Sequence, residues 1–319
     1  MKILIPDKVN DKATEILKQA GFEVENKPGI SVEELTTICS DADAMIVRSG
    51  VKITKEVLDA ATNLKIVVRA GVGYDNIDAE YAATKGIIVE NTPFGNTNAA
   101  AEHTLIMLMM LAKHVIHANI ELKGGVWDRK KYKGTELKGK ILGIIGLGNV
   151  GKKVAKVANA LEMDVIGSDP FVDEAGMKEI GVKKSEFEDV LKLSDYITVH
   201  VPLTDKTKDM ISDSQFSMMK DCVKIINVAR GGVVNEDALE KALESGKVSS
   251  AALDVYSAEP PVCKSLIGLD KVICTPHLGA STKEAQVNVA IDAANQIVSA
   301  LKEGKITACV NGVKEVKTS

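Results

Sequence analysis

Residues 140–169 carry a pattern that few folds accommodate. An apolar run, Lys140-Ile-Leu-Gly-Ile-Ile145, enters Gly146-Leu-Gly148-Asn-Val-Gly151; a helical pattern follows to about Leu161, and a second apolar run, Val165-Ile-Gly-Ser, ends on Asp169. Gly146 permits a tight turn, Gly148 lets the backbone approach a pyrophosphate, and Gly151 permits close packing of helix on strand. The pyrophosphate then lies at a helix N-terminus, where unpaired N–H groups and the macrodipole favour an anion. Asp169 follows at about the 20-residue distance from which a carboxylate accepts hydrogen bonds from ribose hydroxyls. Glycines alone only make turns. The strand before them, the helix after them and the acid beyond together indicate a dinucleotide site. A carboxylate at Asp169 repels a 2′-phosphate, and the next few positions hold no Lys or Arg to offset it, so NAD is expected rather than NADP.

The rest of the chain alternates in the same way. Strand-like runs are expected at residues 3–5, 22–26, 44–47, 64–68 and 86–89, and again at 141–145, 164–167, 196–201, 223–228, 251–255 and 272–275. Helical patterns fall between most of them; one covers Ser31 to Ile38, with Ser31 and Glu34 in capping-box spacing. A long apolar helix is predicted from Ala99 to about Ile120, and a last helix from Thr282 to about Lys302. The alternation implies an α/β fold of two Rossmann-like or flavodoxin-like doubly wound parallel-sheet domains. The expected division is 1–94 plus 282–319 as a discontinuous substrate-binding domain and 95–281 as an NAD-binding domain. The two crossings imply a cleft between them, a common place for ligands.

With 45% hydrophobic and 26% charged residues, the 319-residue chain has an ordinary globular composition. A net charge of −4 argues against nucleic acid as a partner. The apolar run Leu105–Leu111 is far too short to span a bilayer, so no membrane association is expected. The N-terminal MKILI breaks at Pro6 and Asp7 and reads as no signal peptide. The five cysteines, Cys39, Cys222, Cys263, Cys274 and Cys309, are odd in number and none are in C-x-x-C spacing. A disulfide scaffold and a metal site are both disfavoured, and a reduced, cytoplasmic protein is expected.

Of 40 basic residues only Arg48, Arg69, Arg129 and Arg230 are arginine, so each invites a question. The planar guanidinium grips carboxylate or phosphate with two parallel hydrogen bonds, which lysine cannot do. Arg48, Arg69 and Arg230 follow apolar strands at their C-terminal ends, the edge where open α/β sheets bind ligands. A structural salt bridge is the alternative for Arg48 and Arg69. Glu259 lies in Ser257-Ala-Glu-Pro-Pro261 and His277 in Thr275-Pro-His-Leu-Gly-Ala280, both after late strands of the dinucleotide domain. Singly they would be an exposed loop acid and an ordinary histidine. Together they suit alcohol–ketone interconversion. Histidine supplies a base near neutral pH, a carboxylate orients the imidazole and balances its charge, and arginine binds an α-carboxylate and polarises the carbonyl. His103, His114 and His117 fall on the long helix and compete poorly; His200 is expected to line the adenosine side.

Seven segments resemble one family: residues 68–78 (VRAGVGYDNID), 95–104 (GNTNAAAEHT), 134–140 (GTELKGK), 146–151 (GLGNVG), 227–232 (NVARGG), 251–255 (AALDV) and 276–285 (PHLGASTKEA). They are similar to the D-isomer-specific 2-hydroxyacid dehydrogenases, and the resemblance covers nearly the whole chain. It implies Arg230, Glu259 and His277 as the catalytic set, with His277 as base in oxidation and Glu259 raising its pKa. It implies NAD contacts from Val72, Asn149, Val150, Asp169, Val201, Pro202, Val228, Ala229, Asp254, Gly279 and Ala280, beside the glycine turn, His200, Arg230 and His277. Asp254 is expected to meet the nicotinamide carboxamide. Substrate contacts are implied for Arg48, Ser49, Arg69, Gly71, Val72, Arg230 and His277, with Arg48 and Arg69 the candidates for a substrate phosphate. The last segment points, within the family, to oxidation of a phosphorylated acid, D-3-phosphoglycerate, to 3-phosphohydroxypyruvate, the first step of serine synthesis.

The resemblance also implies a homodimer through the Ala99 helix and the arm around Trp127. There Arg129, Lys130 or Lys131 would complete a neighbouring phosphate site; a solvated loop is the alternative. Longer family members carry a C-terminal serine-sensing module. The chain ends at Ser319, so inhibition by L-serine is not expected. Two other readings stand beside this one: a glyoxylate, hydroxypyruvate or D-lactate-type reductase with the same fold and triad, and, more remotely, an NAD-sensing corepressor that binds peptides.

Overall fold

The computed structural model describes residues 1–317. The chain divides into two compact units, Met1–Asn96 with Ser281–Ser319, and Thr97–Ala280. The last two residues of the expected segment 282–319 lie outside the described residues.

The first unit alternates strand and helix: β1 (Lys2–Ile5), α1 (Lys12–Gln19), β2 (Glu23–Asn26), α2 (Val32–Ile38), β3 (Ala44–Val47), α3 (Lys55–Ala60), β4 (Ile66–Arg69), α4 (Ala79–Thr84) and β5 (Ile88–Asn91). Its sheet has the order β2-β1-β3-β4-β5, and every pair of strands is parallel. β3 reads Ala-Met-Ile-Val and is buried throughout, as a parallel strand covered on both faces requires. The predicted capping box forms: Ser31 Oγ accepts from the Glu34 N–H while the Glu34 carboxylate accepts from the Ser31 N–H.

The second unit contains α5 (Thr97–Lys113), α6 (Val115–Lys123), β6 (Ile141–Ile145), α7 (Asn149–Ala160), β7 (Asp164–Ser168), α8 (Glu174–Glu179), β8 (Lys183–Lys184), α9 (Phe187–Leu193), β9 (Tyr196–Val199), α10 (Asp213–Met218), β10 (Val223–Asn227), α11 (Glu236–Glu244), β11 (Val248–Leu253), α12 (Lys264–Ile267) and β12 (Val272–Cys274). Its strands, also all parallel, run β12-β11-β10-β9-β6-β7-β8. The order reverses between β6 and β9, and that switch point is where such sheets receive ligands. One apolar layer packs α5 and α7 on the sheet through Leu105, Leu108, Val154 and Ala158; the other packs α9 to α11 through Leu191, Phe216 and Leu239.

The long helix predicted to run from Ala99 to about Ile120 is two helices, bent by 65° at His114, whose φ is 53°. The Ala112 carbonyl accepts from the Thr135 N–H at 2.9 Å, which removes the acceptor a continuous helix would offer residue 116. Beyond that point the apolar anchor is gone, since no residue of α6 is buried. No single helix among the described residues is long and apolar enough to cross a membrane, although the bent pair passes by length and composition; much of α5 is buried in its own unit.

The chain re-enters the first unit through α13 (Lys283–Glu303), whose Ala290, Ala293, Ala294 and Ile297 pack with α1 on one sheet face. Residues 307–311 then lie against β5. Cys309 bridges Glu90 in antiparallel sense, and the Val310 N–H donates to the Val89 carbonyl at 2.9 Å. The Asn311 amide donates to the carbonyls of Ala79 and Ile87 and accepts from the Val89 N–H. Glu90, wholly buried, accepts from the N–H groups of Thr307 and Ala308.

Candidate active site

The glycine turn occupies the switch point of the second unit. Gly146 leaves β6 with φ 93°, a conformation that favours glycine, and a Cβ there would lie 2.8 Å from the backbone of His200. A Cβ on Gly151 would lie 2.2 Å from the Gly146 carbonyl oxygen, so the first turn of α7 reaches its position only without a side chain. Gly148 caps α7 without a side-chain acceptor, and nothing lies within 4 Å of where its Cβ would be. The turn is therefore bare backbone at the positive end of a twelve-residue helix, an arrangement that fits a pyrophosphate. Asp169 follows β7, its carboxylate accepting from the Leu147 N–H at 2.7 Å and the Phe171 N–H at 2.8 Å. These bonds brace the turn and fix the carboxylate; a carboxylate has further lone pairs for ribose hydroxyls.

His200 follows β9, behind this turn. Its N–H donates to the Ile145 carbonyl at 2.7 Å and its Nε2 lies 3.0 Å from Thr198 Oγ1. Burial pulls its pKa down to about 4, so the ring is neutral near pH 7. Val201 packs by Gly146, and Pro202 is exposed in the following loop, its carbonyl accepting from Thr207 Oγ1.

Three loops at the C-terminal ends of β10, β11 and β12 bring the catalytic candidates together. After β10, Asn227 folds its side chain over the loop, accepting from the Ala229 N–H and donating to the Arg230 carbonyl. Arg230 Nη1 donates to the Ala229 carbonyl at 2.6 Å. The next residue, Gly231, is where this loop meets the loop after β11: a Cβ would fall 1.8 Å from the Tyr256 carbonyl oxygen. In that second loop Glu259 Oε1 accepts from the Tyr256 N–H at 3.3 Å. Its Oε2 meets His277 Nδ1 at 2.7 Å. A carboxylate only accepts, so Nδ1 carries a proton; in the neutral ring the lone pair is then on Nε2. The two side chains stay 48% and 38% exposed, within reach of a ligand. His277 has φ 54°, uncommon outside glycine, and its N–H donates to the Asp254 carbonyl at 2.9 Å.

Asp254 is wholly buried. Its Oδ1 accepts from Thr275 Oγ1 and the Leu278 N–H, its Oδ2 from the Gly279 N–H, each at 2.7 Å or less. Burial would push its pKa up, but the hydrogen bonds from His103, Thr275, Leu278 and Gly279 outweigh it and hold the carboxyl below its usual value. The side chain that the resemblance sets against a nicotinamide also braces the loop that carries His277. Gly279 sits against Val228 and Asp254, with room for no Cβ, and Ala229 and Ala280 are half-buried nearby in sequence.

The remaining candidates belong to the first unit. After β3, Asp7 Oδ2 accepts from the N–H groups of Arg48 and Gly50, and Asn76 donates to the carbonyls of Arg48 and Val51. The loop Arg48-Ser49-Gly50 is thus clamped from both sides, with Ser49 exposed. The Arg69 guanidinium lies across Gly71, where a Cβ would fall 1.4 Å from Nη1. The Val72 carbonyl accepts from the Asn91 amide. Among the described residues no group of three His, Cys, Asp or Glu side chains is placed to hold a metal ion.

Residues 105–279, more than half of the chain, match the family described as D-isomer specific 2-hydroxyacid dehydrogenase, NAD binding domain. The chain belongs to this family. It is 47% identical over 312 residues to D-3-phosphoglycerate dehydrogenase of Archaeoglobus fulgidus, covering 98% of this chain and 59% of that protein. It is 45% identical over 310 residues to the D-3-phosphoglycerate dehydrogenase of Rattus norvegicus, covering 97% and 58%. The chain therefore spans about three fifths of the length of these curated relatives. Among solved structures it resembles a glyoxylate reductase from Paecilomyes thermophila, with TM-score 0.91, 28% identity and coverage of 97% and 98%. It also resembles the D-lactate dehydrogenase of Aquifex aeolicus complexed with NAD and lactic acid, with TM-score 0.85, 29% identity and coverage of 98% and 99%. NAD is thus the cofactor of the second unit.

Sequence reasoning passed over the residues that hold the candidate loops in shape. Asp7 and Asn76 are isolated polar residues in turn-rich stretches, and their only signal was proximity to strand ends. His103 was set aside with the other helix histidines, yet its Nε2 lies 3.1 Å from Thr275 Oγ1 and 3.3 Å from Asp254 Oδ1.

Proposed function

We propose that the chain catalyses NAD-dependent oxidation of D-3-phosphoglycerate to 3-phosphohydroxypyruvate. The observation that carries the reading is the His277–Glu259 pair at 2.7 Å, set beside the Arg230 loop in an NAD-binding unit. Bound NAD supplies the acceptor for the hydride that leaves the substrate's C2. The residues that would hold it are Gly146, Gly148, Asn149, Val150, Gly151, Asp169, Val201, Pro202, Val228 and Ala229. His277 Nε2 takes the hydroxyl proton as the C2–O bond becomes a carbonyl. Glu259 keeps the ring in the Nδ1–H tautomer and balances the charge that proton brings. Arg230 binds the α-carboxylate and draws electron density toward the forming ketone oxygen. In the reverse direction His277 returns the proton.

Arg48 and Arg69 are assigned as the cations for the substrate phosphate, with Ser49, Gly71 and Val72 in the same substrate loops. The names of the curated relatives support a phosphorylated substrate; the fold of the glyoxylate reductase supports the competing reading of an unphosphorylated keto acid. Steady-state turnover decides between them. The assay follows reduced cofactor with D-3-phosphoglycerate and NAD, and in reverse with 3-phosphohydroxypyruvate, hydroxypyruvate and glyoxylate. A kcat/KM larger by orders of magnitude for the phosphorylated pair supports the proposal. Preference for glyoxylate or hydroxypyruvate overturns it and leaves the triad intact.

The protein is further assigned as a homodimer. Ile106 and Met109 on α5, Val115, Ile120 and Leu122 on α6, and Trp127 beyond it are exposed on one continuous stretch of chain, with Trp127 75% accessible. Monomers seldom leave so much apolar surface wet. Lys131 is engaged by Glu121 within the chain, which leaves Arg129 and Lys130 as the arm's candidates for a neighbouring phosphate site. Light scattering of the Ile120→Asp variant, expected to be monomeric, tests this. A cytoplasmic location is proposed, in a compartment that keeps the five thiols reduced.

A further inference from the structure

His103 has no place in the chemistry above, yet its side chain meets the residues at the ends of β11 and β12 that carry the site. It lies on α5, which packs over β10 and β11, and its side chain is only 16% exposed. Its Nε2 reaches two atoms, Thr275 Oγ1 at 3.1 Å and Asp254 Oδ1 at 3.3 Å. Proton counting fixes the direction of these bonds. The Thr275 hydroxyl has one proton, and its short contact to the Asp254 carboxylate, which only accepts, uses it. The Thr275 oxygen can then only accept from His103, so Nε2 carries a proton. The result is a donor, His103 Nε2–H, shared between Thr275 Oγ1, whose own proton goes to Asp254 Oδ1, and Asp254 Oδ1 itself.

What lies beyond Asp254 is the segment bearing His277. The same carboxylate receives the N–H groups of Leu278 and Gly279, while the Asp254 carbonyl receives that of His277. His277 is held in a left-handed conformation, φ 54°, that it would not keep unaided. A buried carboxylate stays in place only while its donors are complete.

We propose that His103 is a positioning residue: by orienting the Thr275 hydroxyl and meeting Asp254 Oδ1 directly, it completes the donor set of Asp254 and so holds His277 in register with Glu259. The inference rests on His277 as the proton-transferring group, and it concerns a residue that touches neither substrate nor cofactor in that reading.

The test uses His103→Phe, which keeps bulk and loses the donor, His103→Gln, which keeps a donor, Thr275→Val, and the double variant His103→Phe/Thr275→Val. The first readout is the low-field NMR resonance of the His277 Nδ1 proton bonded to Glu259, which needs no substrate. The second is kcat against KM with whichever 2-hydroxy acid the wild type accepts. His103→Phe is expected to shift or broaden the Nδ1 signal and to lower kcat by about 10- to 100-fold with KM changed less than about threefold. His103→Gln should restore both, and the double variant should be no worse than the poorer single one. The proposal is overturned if His103→Phe keeps the wild-type signal and kcat, if the two losses multiply, or if His103→Gln falls as far as His103→Phe with an equal loss in Tm. Should His103→Phe fail to fold, Thr275→Val against His103→Gln carries the same comparison. A wild type that turns over no 2-hydroxy acid would refute the activity and leave the NMR comparison to decide His103.

Discussion

Gly231→Ala is the sharpest probe of the loops around Arg230. The added Cβ would meet the Tyr256 carbonyl oxygen at 1.8 Å, the Tyr256 carbonyl carbon at 1.9 Å and the Ser257 nitrogen at 2.6 Å, all of them backbone. Ordinary contact begins near 3.4 Å, so the two loops must part by about 1.6 Å. The far side has little freedom to yield. The Tyr256 N–H is tied to Glu259, its hydroxyl to the carbonyls of Leu253 and Thr275, and the Ser257 N–H to Glu236. The displacement therefore changes where Arg230 lies relative to the His277–Glu259 pair. A misplacement of about 1 Å in a reacting constellation costs roughly 100-fold, or about 2.7 kcal/mol of transition-state stabilisation. Overpacking should take about 1–3 kcal/mol from stability as well. The glycine turn on β6 is not part of this contact, whereas Val228 and Ala229 lie in the displaced loop, so NAD affinity by fluorescence titration should fall less than kcat/KM. The reasoning fails if kcat/KM of Gly231→Ala lies within about threefold of wild type, or if NAD affinity falls in step with activity.

Three further outcomes are expected. Glu259→Gln removes the charge beside His277 and permits the wrong tautomer; kcat should fall by at least about 100-fold with NAD affinity unchanged, measured by steady-state kinetics beside titration calorimetry. Asp169→Ala strips the acceptor that braces Leu147 and would receive the ribose hydroxyls; the Kd for NAD should rise about tenfold or more, and discrimination against NADP should shrink. His200 carries a folded-state value near 4 against 6.5 in the unfolded chain, so the unfolded state binds more protons between those limits and stability falls as pH drops from 6.5 towards 4. The loss approaches about 3 kcal/mol. In urea titrations across that range His200→Gln should show a flatter acid limb, and an equally steep limb would remove His200 as its cause.

The sheet architecture was legible because both sheets are parallel and covered on both faces. Strands such as Ala44–Val47 and Ile225–Asn227 announce themselves as unbroken buried runs. The dinucleotide turn was legible because its glycines answer to backbone sterics that no other residue satisfies. Elsewhere tertiary contacts decided. The strand expected at residues 86–89 lies at Ile88–Asn91, because Gly86, with φ 65°, still closes α4, and because Glu90 and Asn91 find partners more than two hundred residues away that no local pattern foretells. The bend at His114 follows from a carbonyl claimed by Thr135, twenty-three residues beyond Ala112. The short strand Lys183–Lys184 has no apolar residue to mark it. Among the site residues, those that carry charge at strand ends could be read directly. Thr275 and His103 could not, since their meaning lies in hydrogen bonds to Asp254 that join elements distant in sequence.

The segment that follows α13 has a consequence for solubility during folding. β5 is the last strand of its sheet, and residues 307–311 supply it with a partner. Until they arrive, one side of Ile88–Asn91 presents a row of unanswered N–H and C=O groups, the kind of border that recruits a strand from another molecule. Glu90 sharpens the point: one oxygen of its buried carboxyl takes the N–H groups of both Thr307 and Ala308, and before they arrive that acceptor is unanswered at the seam. A foreign strand lacking those donors would have to bury that acceptor unsatisfied. The acid thus acts as a gatekeeper, selecting the protein's own tail over a neighbour's backbone and discouraging aggregation while more than two hundred residues of intervening chain find their places.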